Sequence, residues 1–444
     1  MTTSEKALGR GTAVVIGGGL AGLAAAWALR GRADRIIVVE RDHYPAEAVF
    51  RAGVPQGRHA HLVLEAGHRL LEEMMPGIKQ ELTSAGARQV AISEVRWLSS
   101  AGWMAEYAAE MSFLSCTRPV LDKLVLDRVR TAPSIEFLES TDVVGLLGSA
   151  GVVRGVKVRE RGPERGEVRE IPAELVVDAA GRSTSVPKWL AELGCRPAPE
   201  ERVDAGVAYS SRLFHRPAGV DLGAQAVYLQ TKAPDAPRMG VLLPVEGDRW
   251  IVSLAGMRGA EPEPGEEGFT KHLAGLRDPL LREALRDAEP AGEVRGFLPG
   301  PGVRRHYERE CPDGLVVVGD AVSTFNPVYG QGVTVALFCA RALRRTTLRH
   351  DGIGHAAARD ARRAIAAASK DPWVMSCAED ARFATTTGAP AGALLTLQHR
   401  FLDKVLVGAT RNPVVTKAFH EVLSLVEPPS LLFRPSVLGA VLRG

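Results

Sequence analysis

The chain has 444 residues, more than one core usually organises, so two or three structural units are expected. Its 55 basic and 52 acidic residues nearly cancel to a formal charge of +3, and no basic tail or stripe is present, which excludes nucleic acid as a natural partner. Five cysteines (Cys116, Cys195, Cys311, Cys339 and Cys377) are scattered without a C-x-x-C pair or a histidine companion. This argues against a disulfide framework or a metal site and for buried reduced thiols.

Residues 1–12 are polar and lead into a strand without a signal-peptide apolar core. No run approaches about 18 uninterrupted apolar residues, and the apolar stretch 391–397 is ended by Gln398, His399 and Arg400. A cytoplasmic protein with no membrane span is expected.

In chain order, 12–16 reads as a short β-rich strand, 17–22 as a glycine turn and 23–30 as an Ala/Leu-rich helix. Residues 35–40 (R-I-I-V-V-E) form a second, continuously apolar strand of the parallel type, completing a βαβ unit. A Gly/Pro loop over 54–61 precedes a predicted helix at 62–75, and strands and turns follow over 87–115. Pro119 opens a helix with Leu121, Val125 and Val129 at i+4 spacing. Four short strands are predicted across 134–177, with turns at 150–151 and 162–166. Longer strands fill 204–257, including a hairpin about Glu246-Gly247-Asp248, and 266–288 reads as helical. Residues 315–318 are another buried strand, and 332–444 is mainly helical, with breaks near 388–392 and at Pro428-Pro429.

Gly17-Gly18-Gly19-Leu20-Ala21-Gly22 matches G-x-G-x-x-G in the strand-to-helix context that the motif requires. Gly17 permits the tight turn, Gly19 lets backbone approach a pyrophosphate, and Gly22 lets helix and strand pack closely. The helix N-terminus that follows Leu20 and Ala21 offers N–H groups to phosphate. Glu40 ends the second strand about 20 residues later, where an acid binds ribose hydroxyls. Arg41 beside it either contacts the adenosine end or faces water.

A second cluster begins with the strand over 315–318 and Gly319-Asp320-Ala321, then Pro327, Tyr329 and Gly330-Gln331-Gly332 before an Ala-rich helix. Asp320 at a strand end can accept hydrogen bonds from ribityl hydroxyls. Glycine-rich backbone at a helix N-terminus can stabilise negative charge on a reduced flavin.

With these motifs the chain resembles the FAD-dependent aromatic hydroxylase and epoxidase family, in its bacterial secondary-metabolism branch. A third motif, Val176-Val177-Asp178-Ala179-Ala180-Gly181-Arg182-Ser183, looks like that family's middle motif, although Ala180 stands where the family usually has Asp. The resemblance implies cofactor contacts from Asp178, Gly181 and Arg118, and from the backbone of Val143 near the adenine. It implies an α/β fold: a Rossmann-like FAD-binding domain with an inserted mixed β-sheet substrate domain and a helical C-terminal region. The expected FAD-binding segments are 1–86, 116–195 and 301–360, the substrate segments 87–115 and 196–300, and the helical region 361–444.

The resemblance further implies a monooxygenase that inserts one atom of O2, by epoxidation or hydroxylation, into an apolar or aromatic small molecule of natural-product biosynthesis. FAD is the cofactor and NADPH or NADH the reductant. Delivery of electrons by a separate flavin reductase stays open, as does the oligomeric state. Gln56, His59 and His61, with Arg58, lie on the substrate-side loop 55–61. Either the histidines relay protons near neutral pH or they only hold loop backbone. Trp97, Trp103 and Trp250 either line a substrate pocket or pack, and Arg304-Arg305-His306 either attracts a nicotinamide phosphate or is a solvated basic turn.

Three rivals share the scaffold. A flavin-dependent halogenase is expected to carry W-x-W-x-I-P and a catalytic lysine, but the strand about Trp250 lacks the second Trp and the Ile-Pro. A prenyl-chain reductase works without oxygen transfer. A non-enzymatic prenyl carrier does not need both glycine clusters, which this chain keeps.

Overall fold

A computed structural model describes residues 10–162 and 166–443. The polar start before Arg10 and the tip of the 162–166 turn lie outside the described residues.

The expected α/β fold is present. Five parallel strands form the central sheet in the order Leu315–Val317, Leu175–Asp178, Thr12–Ile16, Arg35–Val39 and Ile135–Leu138. Helices Leu20–Ala28 and Gly332–Arg349 pack together beside it, their alanines allowing close approach. Because the first and last parallel strands lie about three hundred residues apart in sequence, this unit is completed only late in the chain.

Thr141–Ser149, Val152–Glu160 and Val168–Pro172 form a three-stranded antiparallel sheet. The region 134–177 therefore holds five strands rather than the four expected, because Ser140, at φ +48°, breaks Ile135–Leu138 from Thr141–Ser149. The predicted helix over 62–75 is also corrected. Leu62–Val63 pairs as a strand with Ser112–Ser115, and the helix is Glu65–Met74.

A seven-stranded mixed sheet runs Arg295–Phe297, Ala208–His215, Arg249–Gly256, Arg238–Val245, Ala226–Leu229, Val95–Ser99, Gly102–Trp103. The hairpin of Arg238–Val245 and Arg249–Gly256 lies at its centre, and Val95–Ser99 joins in parallel to Ala226–Leu229. The stretch 266–288 contains two helices, Gly265–Ala274 and Leu280–Ala284, rather than one.

The C-terminal region contains His355–Asp380, Ala393–Ala409, Pro413–Leu423 and Pro435–Arg443. The last three gather their own core about Val405, Val415, Phe419 and Val437, with Trp97 and Met104 of the mixed-sheet region packed against it. No helix among the described residues is long and apolar enough to cross a membrane. The cysteines are unpaired; Cys116, Cys339 and Cys377 are buried, whereas Cys195 and Cys311 are only half-buried.

Candidate active site

The two glycine clusters meet along one cavity of about 1130 Å³. Gly17 ends its strand at φ +94°, and a Cβ on Gly22 would stand 1.9 Å from the Gly17 carbonyl oxygen. A Cβ on Gly19 would meet nothing within 4 Å, because Gly19 faces the cavity. No side chain caps helix Leu20–Ala28, so its N-terminal N–H groups are left for an anion. Leu20 and Ala21 also line the cavity, whereas Gly22 serves packing.

Glu40 is buried at the cavity wall. Its Oε2 accepts from Gly18 N–H at 2.7 Å and its Oε1 from Asp42 N–H at 2.9 Å. Each oxygen keeps acceptor capacity for a ribose hydroxyl. Arg41 and Val143 line the same cavity, and Arg118 reaches it from the start of helix Arg118–Arg130, with its Nε donating to Asp122 Oδ1 at 2.6 Å.

Sequence reasoning missed Arg51. Its guanidinium lies over the Tyr44 ring, 4.7 Å from the centroid, and 3.9 Å from Glu40, with a buried Nη1 that has no hydrogen-bond partner. An arginine in an irregular loop carries no periodic signal that could have marked it. A buried cation donor without an acceptor, beside an uncapped helix N-terminus, suits a pyrophosphate.

At the other end, Asp320, Pro327, Gly330, Gln331 and Gly332 line the cavity where helix Gly332–Arg349 begins. Gly330 takes φ +65°, no side chain caps the helix, and Gln331 Oε1 is buried without a partner. Burial raises the Asp320 carboxyl above its usual range, against the pull of Arg182 and Arg118. The unpartnered donor and acceptor atoms, the open glycine faces and the two uncapped helix starts together suit FAD.

Asp178 lies elsewhere than the middle-motif resemblance implied. It is fully buried behind the wall, where Oδ1 accepts from Ala180 N–H at 3.0 Å and Oδ2 from the Thr184 hydroxyl at 2.7 Å. Burial pushes its carboxyl up to about 6. It shapes the turn that presents Gly181 and Arg182, which do line the cavity.

The loop 326–332 is held from the C-terminal region. Asp380, near the end of helix His355–Asp380, accepts from Asn326 Nδ2 at 2.7 Å and from the Tyr329 hydroxyl at 2.8 Å. Nothing local to Asp380 in sequence signals that role.

Gln56, His59 and His61 line the middle of the cavity, while Arg58 turns away over the Phe50 ring. Burial lowers both histidines to about 4, with His61 and Arg58 adding to the effect on His59, and Arg118 to that on His61. Both rings are therefore neutral near pH 7.

The tautomer of His61 follows from its partner. His61 Nδ1 lies 2.9 Å from the His59 carbonyl oxygen, which can only accept, so Nδ1 carries the hydrogen and Nε2 a lone pair. His59 Nδ1 lies 2.7 Å from Ser211 Oγ, which lies 2.6 Å from Ser253 Oγ. Ser253 accepts from Ala60 N–H at 2.8 Å. Among the described residues Ser253 has no other acceptor for its own hydrogen. Two arrangements meet these contacts: Ser253 donating to Ser211 and Ser211 to His59 Nδ1, which leaves the hydrogen on His59 Nε2, or the reverse, which leaves a lone pair on Nε2 and the Ser253 hydroxyl hydrogen for the cavity. His61 thus offers a lone pair at Nε2, and the serine pair couples the His59 tautomer to the Ser253 hydroxyl.

Beyond His59 the cavity opens into a chamber between the mixed sheet and the C-terminal helices, walled by residues including Tyr209, Tyr228, Met239, Phe401 and Phe419. Trp97 lines it, donating from Nε1 to Gln230 Oε1 at 3.1 Å and stacking on His420 at 5.2 Å. Trp250 is core instead, and Trp103 packs against Arg96. Arg304 and His306 are buried rather than solvated. His306 bridges Glu308 and Glu201, and Arg304 donates to the Ala366 carbonyl, so neither stands free for a nicotinamide phosphate.

This geometry defines a dinucleotide-binding redox protein. The sequence matches the FAD binding domain family over residues 10–346, and the chain belongs to that family. It is an FAD-dependent oxidoreductase. It is similar to Protein Rv3254 of Mycobacterium tuberculosis, 31% identical over 96% of this chain and 91% of that protein. It is 28% identical to digeranylgeranylglycerophospholipid reductase 2 of Methanopyrus kandleri over 74% of both. It is 26% identical to 6-methylpretetramide 4-monooxygenase of Streptomyces rimosus, over 73% of this chain and 72% of that enzyme. In structure, p-nitrophenol 4-monooxygenase PnpA of Pseudomonas putida shares the fold at a TM-score of 0.63 and 14% identity, over 94% of this chain and 99% of that one.

Proposed function

We propose that the protein is an FAD-dependent monooxygenase that transfers one oxygen atom from O2 to an apolar or aromatic small molecule, by hydroxylation or epoxidation, with NADH or NADPH as reductant. The observation that carries this reading is the single cavity joining the FAD cradle to an apolar chamber, with two neutral histidines at the junction. FAD, when bound, accepts two electrons from the reductant and activates O2 for transfer of one atom.

Gly17, Gly19 and Arg51 would hold the diphosphate, Glu40 the adenosine ribose, Arg118 and Asp320 the ribityl region, and the start of helix Gly332–Arg349 the ring. A substrate filling the apolar chamber displaces water from it, which limits loss of activated oxygen. His61 Nε2 accepts a hydrogen bond from the polar group of the substrate, and the His59 ring faces the same group, its tautomer set through Ser211 and Ser253.

Reduction of a prenyl chain is the second reading, favoured by the reductase likeness. Halogenation is disfavoured because no lysine is among the described residues lining the cavity. Oxidation of NAD(P)H by the holoprotein is to be followed in air and under nitrogen with aromatic and polyene substrates. Product formed only in air and carrying one ¹⁸O atom from ¹⁸O2 supports oxygen transfer. Anaerobic reduction of a double bond overturns it.

A further inference from the structure

The apolar stripe of helix Ala393–Ala409 changes its environment along its length. In the second half Val405, Leu406 and Ala409 bury into the C-terminal core. In the first half Leu394, Leu397 and Phe401 continue at i, i+3, i+7, but Leu394 is 70% and Leu397 63% exposed. Phe433, 58% exposed, stacks on Phe401 with ring centroids 4.6 Å apart, and Val374 of helix His355–Asp380 is 47% exposed. All five of these side chains line the large cavity. An apolar cluster exposed at the mouth of an apolar chamber loses free energy to water unless something covers it.

The cluster is continuous with the catalytic cavity, which selects a ligand bound there over an unrelated partner. We infer that this rim is the outer subsite for the substrate, which is a lipophilic molecule with an extended apolar chain or ring system. Its reacting end lies beside His59, and its tail passes between Leu397 and Phe433 to the surface. This rests on the cavity being the substrate site of the proposed oxidoreductase, and it fixes the size class that the site takes. A single-ring phenol fills only the inner chamber; a longer ligand also covers the rim.

The test is calorimetric titration of the FAD-loaded protein with phenol, 4-butylphenol and 4-octylphenol, beside Leu397→Asp and Phe433→Ser. Each methylene buried on binding tightens affinity by about fourfold, so 4-octylphenol is expected to bind at least about a hundredfold tighter than phenol. Both substitutions are at exposed positions, and unchanged FAD content and melting temperature verify folding. They are expected to weaken 4-octylphenol about tenfold and leave phenol unchanged.

A flat series, no binding by any member, or variants that bind 4-octylphenol like the parent overturn the inference. If the substitutions instead abolish a dimer on gel filtration, or sedimentation with phosphatidylcholine vesicles, while the series is flat, the rim is covered by a second copy or by lipid and the inference fails. Because the titration needs no turnover, its outcome is separate from the ¹⁸O2 assay that tests oxygen transfer.

Discussion

The Tyr329 hydroxyl donates to Asp380 Oδ1 at 2.8 Å, tying the loop expected to hold the flavin ring to a helix that ends 51 residues later. Asn326 Nδ2 donates to the same oxygen at 2.7 Å. Asp380→Ala leaves two donors without an acceptor, at about 1–3 kcal/mol each. FAD affinity, measured by quenching of flavin fluorescence, is expected to fall about tenfold or more. Asp380→Asn keeps Oδ1 as an acceptor and should stay within a few-fold of the parent.

Two glycines of one motif should fail in different ways. Gly22→Ala places a methyl 1.9 Å from backbone that cannot move aside, so the apoprotein is expected to lose about 1–3 kcal/mol. Gly19→Val meets open space, so the apoprotein should melt like the parent but retain little FAD. The ratio of flavin to protein absorbance, beside apoprotein melting curves, separates the two outcomes.

The serine pair behind His59 orients its ring. Ser211→Ala removes the hydrogen-bond partner of Nδ1 and frees the imidazole to turn or change tautomer. Product formed per NAD(P)H consumed is expected to drop about tenfold, with FAD content unchanged and recovery in Ser211→Thr. Equal coupling in Ser211→Ala and the parent would show that His59 orientation does not matter.

Acid should destabilise the apoprotein. Burial lowers His59, His61, His272 and His420 to about 4, so between pH 4 and about 6.5 the unfolded chain binds more protons and stability falls as pH falls. Asp178 and Asp380, raised to about 6 by burial, act in the opposite sense, as does Asp320. Four histidines against these carboxyls leave an uptake of about one to two protons on unfolding near pH 5, or roughly 2 kcal/mol per pH unit. His272→Gln, at a site away from the FAD cavity, should reduce that slope by about 1 kcal/mol per pH unit in denaturant titrations.

By itself, the sequence determined the parts whose chemistry is local. A glycine turn between a β-branched strand and an alanine-rich helix, with Glu40 ending the next strand, can be read because backbone geometry and hydrogen bonding act over a few residues. The second cluster at Asp320 to Gly332 was legible for the same reason. The strand at Leu62–Val63 was not, since two residues show no period and its partner Ser112–Ser115 is remote. The tertiary structure alone decided that Asp178 faces its own turn, that Arg51 has a buried nitrogen without a hydrogen-bond partner, and that Asp380 holds Tyr329. It also decided that His59 rests on Ser211 and Ser253, residues 152 and 194 positions away. Contacts of that separation leave no periodic trace, and the desolvation that sets the two histidines at about 4 exists only once the chain has closed around them.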